Sequence, residues 1–170
     1  MGSGRSDYKI IRVSPTLDTS AYAEDDVLFT ATEITDSVIG LGGCSKLVAM
    51  YVIDKSNTNS DIDFYFSEGN TALGTINATA DITDANLVSN NICGVARLDN
   101  NTATVGDGLD NARILQVMPL SGTTEDSNPT MLLQAASDAN SFFVQGILTS
   151  ATTPTYADGD IQLILHLELR

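Results

Sequence analysis

Short stretches in which apolar and polar residues alternate recur along the chain, with polar turns between them. Successive side chains of a strand point to opposite sides of a sheet, so each stretch of this kind predicts a strand with one buried face. The last stretch is the most regular, and its apolar positions are Ile161, Leu163, Leu165, Leu167 and Leu169. Ile62, Phe64 and Phe66 alternate in the same way and predict an aromatic row in the core.

Seven further strands are predicted elsewhere in the chain. They cover residues 7–13, 27–34, 44–54, 91–98, 112–120, 130–136 and 141–149. The polar turns at 55–60 and 137–140 predict two antiparallel hairpins, each joining the strands on either side. Residues 44–54 are almost continuously apolar, which favours a strand that is central in a sheet or covered on both faces.

One short helix is predicted at 83–88, capped by Thr83 or Asp81. No helical crossover separates the strands, and this excludes a parallel sheet. The sequence therefore predicts an all-β fold, a two-sheet antiparallel β-sandwich that is jelly-roll-like and has one short helix. Residues 1–7 are expected to form a flexible N-terminal tail, and residues 8–170 a single β-sandwich domain.

Composition agrees with strands and polar turns. The chain has 19 Thr, 15 Ser, 12 Asn and 17 Asp but only 5 Glu and 3 Lys, and its net charge is −14. Nucleic acid is not an expected partner, because phosphate contacts need clustered Lys and Arg and the eight here are scattered. No membrane association is expected, since there is no apolar run of about 18 residues. No signal peptide is visible, which predicts synthesis in the cytoplasm.

The candidates for catalysis or a zinc site are few. A Ser-His-Asp or Cys-His site would have to use His166, the sole histidine, which lies on the polar side of the last strand. Zinc would need His166, Cys44 and Cys93 to converge, and nothing in their positions indicates this. We predict no catalytic residue, no metal and no cofactor, and we interpret the two cysteines as small buried free thiols.

Calcium is the most credible ion. Asn57, Asn59, Asp61 and Asp63 alternate along one turn, and Asp107 and Asp110 lie close together in another. Neither spacing matches the EF-hand loop with its glycine and terminal Glu, so a solvated turn is the preferred interpretation.

The layout resembles that of a family of virion proteins. The similarity is carried by 26–34 with its glycine turn, 52–55, 62–66, 73–75, 81–86 and the Thr-Pro-Thr-Tyr at 153–156. In this order they resemble small structural proteins of tailed bacteriophages, particularly marine ones, some of which are capsid decoration proteins. The resemblance covers residues 27–169, and it rests on layout and turn chemistry.

The resemblance implies a non-enzymatic virion structural protein. Such a protein would decorate and stabilise a phage capsid by docking on the major capsid protein, and it would lie on the capsid surface of the virion. A homo-oligomer is expected, a trimer before other states, because of the symmetry of shells. The alternatives are a phage fibre or receptor-binding protein and a carbohydrate-binding β-sandwich module. Clustered aromatic residues beside an Asp pair would favour these alternatives.

The predicted docking segment is the N-terminal strand, because Lys9 and Arg12 make it the one local basic segment. Its residues are Tyr8, Lys9, Ile10, Ile11, Arg12 and Val13. Two interpretations stay open: the segment adds a strand to a neighbouring protein, or it is an ordinary edge strand of its own sandwich.

Overall fold

The computed structural model describes residues 7–58, 60–99, 104–105, 113–119 and 131–170. Within these ranges there are ten strands and one helix. In chain order they are β1 Asp7–Val13, β2 Val27–Ile34, β3 Cys44–Asp54, β4 Ile62–Ser67, α1 Asp84–Ser89, β5 Ile92–Leu98, β6 Thr104–Val105, β7 Arg113–Pro119, β8 Met131–Gln134, β9 Phe142–Leu148 and β10 Ile161–Leu169.

Two antiparallel sheets of four strands form the sandwich. Sheet 1 has the order β1-β10-β3-β8, and sheet 2 has the order β2-β9-β4-β5. β7 continues along β3 beyond the end of β8 and then pairs with β5 at Ala96 and Arg97, so it bridges the two sheets. The predicted all-β antiparallel sandwich is confirmed.

The strand pairings are nested. With β6 and β7 set aside, eight strands remain, and the first pairs with the last, the second with the seventh, the third with the sixth and the fourth with the fifth. A chain folded as one long double strand and wrapped into two sheets gives this pattern, which is the strand order of a jelly roll. This confirms the predicted jelly-roll-like fold.

Both predicted hairpins are wrong. β3 lies in sheet 1 and β4 in sheet 2, and the same is true of β8 and β9. The two polar turns therefore carry the chain from one sheet to the other. Turn residues indicate where a chain reverses, but they do not indicate which strand becomes the lateral partner.

The core lies between the sheets. Sheet 1 contributes the inward residues of β10, and sheet 2 contributes an aromatic layer in which the rings of Phe66 and Phe142 are 6.1 Å apart. The fully or almost fully buried side chains include Ile161, Leu163, Leu165, Leu167, Phe29, Phe64, Phe66 and Phe142. The alternations predicted for β4 and β10 thus place the expected residues inside.

The helix prediction is confirmed at α1. Its N-cap is Thr83, whose Oγ1 accepts a hydrogen bond from Asn86 N at 3.3 Å. This bond satisfies one of the amide groups that the first turn of a helix leaves without a partner. The helix buries none of its residues. The helical part of the described ranges is too short to cross a bilayer.

Candidate functional site

The chain between β4 and α1 covers part of the outer face of sheet 2. Gln145 on β9 points outward, yet it is fully buried. Its Oε1 accepts from Leu73 N at 2.9 Å, and its Nε2 donates to Thr71 O at 3.0 Å. Farther along, this segment forms single β-bridges with Asp26 and Val27 at the edge strand β2.

Within the described residues, the outer face of sheet 1 has no such cover. In β10 the residues that alternate with the core leucines are only half-buried. Register places the outward residues of neighbouring strands in rows; Tyr8, Glu168, Lys46 and Leu132 form one row across all four strands. We call this surface the open face, and it comprises Tyr8, Ile10, Arg12, Lys46, Val48, Ala49, Tyr51, Ile53, Leu132, Ile164, His166 and Glu168.

A β-bulge in β3 adds an apolar side chain to the open face. Register shifts between His166 and Leu167, which oppose Ala49 and Leu47, so Val48 is the extra residue. The bulge changes the phase of the strand: Leu47 and Met50 both enter the core, and the two residues between them are exposed or half-buried. The prediction that residues 44–54 form a central strand is confirmed. The run of apolar residues is continuous because some of them fill the core while others, including the bulge residue Val48, lie on the open face.

The open face is apolar for a solvent-facing surface. Tyr8 is 73% exposed, Ile10 51% and Leu132 57%, and Val48 is also exposed. Tyr51, Ile53 and Ile164 lie between them and are half-buried. Contiguous exposed apolar surface on a folded protein marks interaction sites, whereas single exposed apolar residues do not.

The charge on the open face differs from that of the whole chain. Arg12 and Lys46 are positive and Glu168 is negative, so the face is slightly positive while the chain carries −14. Lys46 Nζ is 4.0 Å from Glu168 Oε2, and Arg170 binds the other carboxylate oxygen at 3.4 Å. An acidic partner would therefore approach this face with less repulsion than it meets elsewhere.

His166 lies near the centre of the open face. Its ring is 5.5 Å from the ring of Tyr51, with an interplanar angle of 59°. In the ranges that the structure describes, His, Cys, Asp and Glu side chains nowhere gather in a group of three that could hold a metal.

The two cysteines are free thiols, and they are half-buried rather than fully buried as predicted. Cys93 Sγ lies 3.5 Å from Asn91 O and 3.7 Å from Gln134 O. Burial raises the pKa of the Cys93 thiol above its ordinary value. A raised pKa keeps this thiol protonated and therefore unreactive at neutral pH.

The first calcium candidate loses one of its acidic ligands. Both carboxylate oxygens of Asp63 bind Arg97, at 2.6 Å from Nε and 2.7 Å from Nη2. Asn59, Asp107 and Asp110 lie outside the described residues. The turn before β4 is instead organised by the buried carboxylate of Asp54, which accepts from Ser56 N and from both the amide and the hydroxyl of Thr58.

The predicted docking segment, Tyr8 to Val13, lies in β1. All seven residues of β1 pair with β10, so the segment is an edge strand of its own sandwich. Strand β1 begins at Asp7, the last residue that the sequence assigned to the tail. Tyr8, Ile10 and Arg12 belong to the open face, whereas Ile11 and Val13 pack against the core. Lys9 Nζ donates to Asp36 O at 2.8 Å.

Sequence reasoning identified the β1 part of the open face but not the rest. The missed residues are Val48, Tyr51, Ile53, Leu132 and Ile164. The available signal was the apolar run in β3, which has more apolar residues than one buried face requires.

No known protein-family model matches the chain, and no curated protein matches its sequence.

Proposed function

We propose that this chain is a non-enzymatic structural protein of a phage virion, which decorates and stabilises the capsid by docking its open face on the major capsid protein. The observation that carries the proposal is the open face itself. A sheet face with Tyr8, Ile10 and Leu132 exposed gains from being covered, at about 25 cal/mol for each Å² of apolar surface removed from water.

The contrast between the two sheets supports a docking role. The described residues cover part of the outer face of sheet 2, through Gln145 and Leu73, and none of them covers the outer face of sheet 1 in this way. The jelly roll is a fold of viral capsid and lectin domains, which agrees with the resemblance by analogy of fold. The excess of negative charge would keep unbound copies soluble at high concentration.

The test uses heads purified from a phage stock in which the gene for this chain is deleted. Wild-type protein and Leu132→Asp are each mixed with the heads, and the bound fraction is measured after sedimentation. Leu132 lies at the end of the open face away from β1. Val88→Asp is the matched control, because Val88 is 74% exposed on α1 and lies outside the open face.

We expect wild type and Val88→Asp to bind equally, and Leu132→Asp to bind at least tenfold more weakly, because a carboxylate would be desolvated without a partner. Heads that do not bind wild type, or that bind all three proteins equally, would contradict the proposal.

A second function has one observation in its favour. The ring pair Tyr51–His166, with Tyr8 on the same face, is the kind of aromatic surface on which sugar rings stack. We propose glycan or receptor binding as the alternative. Glycan-array binding that is lost in Tyr51→Ala and kept in Val88→Asp would support it, and measurement with and without calcium would determine whether an ion takes part.

A further inference from the structure

The free side of β1 is a potential pairing surface. β1 pairs with β10 on one side, and no other strand of the described ranges pairs with it. An edge strand presents a row of backbone N–H and C=O groups that can pair with another chain. Natural edges are usually protected by charges or short length. β1 carries Asp7, Lys9 and Arg12, but it is seven residues long and has Ile10 at its centre, 51% exposed.

The sequence of β1 is complementary to itself. If two copies of β1 run antiparallel about a two-fold axis at Ile10, all seven residues pair. Ile10 then lies opposite Ile10 of the other copy, Tyr8 opposite Arg12, Lys9 opposite Ile11 and Asp7 opposite Val13. On the solvent side this register gives one central apolar pair with a tyrosine–arginine pair on each side of it.

Neighbouring registers are less favourable. An axis at Lys9 places two lysines opposite each other, and like charges opposite each other are destabilising. An axis at Ile11 leaves Asp7 and Tyr8 beyond the end of the partner strand. The register centred on Ile10 is therefore the longest one, and it has no directly opposed like charges.

Charge also favours a second copy at this edge. Each chain carries −14, so most surfaces of two copies repel each other. β1 has Lys9 and Arg12 against Asp7 and is therefore close to neutral, so two copies that meet here bring less like charge together than they would at an acidic surface.

We propose that the protein forms a two-fold dimer in which the β1 strands of two copies pair antiparallel, centred on Ile10, to make one continuous sheet. Such a contact has the same surface on both subunits and is closed. It would add about six to eight backbone hydrogen bonds. The dimer leaves Leu132 and Tyr51 free on both copies, so it extends the open face and does not depend on the proposed capsid docking.

The first test is the mass in solution by light scattering over a concentration series. We expect a dimer for wild type and for Leu132→Lys, whose site is 57% exposed on the same face but distant from β1. Ile10→Lys should weaken dimerisation at least tenfold, because it places two ammonium groups opposite each other on the axis. A wild-type monomer or trimer would overturn the proposal, as would an unchanged dimer in Ile10→Lys.

The second test reads the register and does not depend on destabilising the contact. In a Cys44→Ser, Cys93→Ser background, Ile10→Cys brings two thiols face to face at the axis, since directly opposite Cα atoms are about 4.5–5.5 Å apart and a disulfide spans this distance. Under mild oxidation with oxidised glutathione, Ile10→Cys should form a covalent dimer. Tyr8→Cys alone and Arg12→Cys alone should not, whereas their mixture should. Cross-linking of Tyr8→Cys alone, or none at position 10, would overturn the register.

The two proposals can fail independently. Leu132→Asp addresses capsid docking and leaves β1 unchanged, whereas Ile10→Lys addresses the dimer. A dimer that does not bind heads contradicts the proposed function alone, and a monomer that binds heads contradicts this inference alone.

Discussion

Gln145 holds the cover of sheet 2 in place, and its replacement by methionine should be costly. Met has nearly the same length and volume but cannot make either hydrogen bond. Leu73 is only 2% exposed, and in Gln145→Met its backbone N–H has no acceptor. Thr71 O, in contrast, still accepts a hydrogen bond from Asn90 Nδ2 at 2.7 Å. An orphaned buried amide together with a lost hydrogen bond costs about 2–4 kcal/mol in the free energy of unfolding.

That cost should be visible in thermal unfolding. For a chain of this size, about 3 kcal/mol lowers Tm by about 6–12 °C. Gln134→Met is the matched control, because Gln134 is exposed on β8 and its side chain makes neither of these bonds. Hydrogen exchange at residues 71–82 should accelerate in Gln145→Met before the rest of the sandwich responds, since the lost bonds anchor that segment.

Either of two results would show that Gln145 does not anchor the cover through its hydrogen bonds. The first is a Tm for Gln145→Met within about 1 °C of that for Gln134→Met. The second is a large loss of Tm with unchanged exchange at residues 71–82, which would mean that Gln145 stabilises the protein by packing rather than by anchoring the cover.

Three further predictions follow from the packing and the titratable groups. Gly146→Ala should lower the free energy of unfolding by about 1–3 kcal/mol in urea titration, because a Cβ there would overlap the ring of Phe29. Phe29→Leu in the same chain should recover part of the loss. Arg97→Ala should lower the free energy of unfolding by about 1–2 kcal/mol, because it leaves the buried Asp63 carboxylate unpaired; the loss is moderate because the Arg97 side chain is partly exposed. Adding Asp63→Asn should restore most of this stability. Burial raises the pKa of Tyr22 to about 12, so the folded state keeps a proton that the unfolded chain loses near pH 10. The free energy of unfolding should therefore fall between pH 10 and 12 in wild type, and it should fall less steeply in Tyr22→Phe.

The sequence was sufficient for the strands but not for their pairing. The alternation in β4 and β10 fixes which side chains enter the core, because a strand has two faces and only one is apolar. The turn at 55–60 has the composition of a hairpin, yet it carries the chain to the other sheet. Turn composition is local, whereas the choice of a lateral partner depends on strands that are far away in the chain.

The open face could be predicted only in part. The basic residues Lys9 and Arg12 made β1 conspicuous, and β1 is an edge strand of sheet 1. Leu132 gave no signal, since an apolar residue in a strand is expected inside. For Val48 the signal was the apolar run of β3, which does not show where a bulge turns a side chain outward. The cover on sheet 2 was equally hidden, because Gln145 resembles an ordinary solvent-facing glutamine.

The nested pairing has a consequence for the order of events during synthesis. Asp7 pairs with Leu169, so the outermost pair of the jelly roll joins the two most distant strands. At about 5–20 residues per second, β1 leaves the ribosome roughly ten to thirty seconds before its partner β10 is made. The innermost pair, β4 with β5, can form first, and the ladders then close outward, which predicts slow folding dominated by distant contacts. During that interval both sides of β1 are bare, so chains emerging together on one polysome are at risk of pairing through β1 before either has folded.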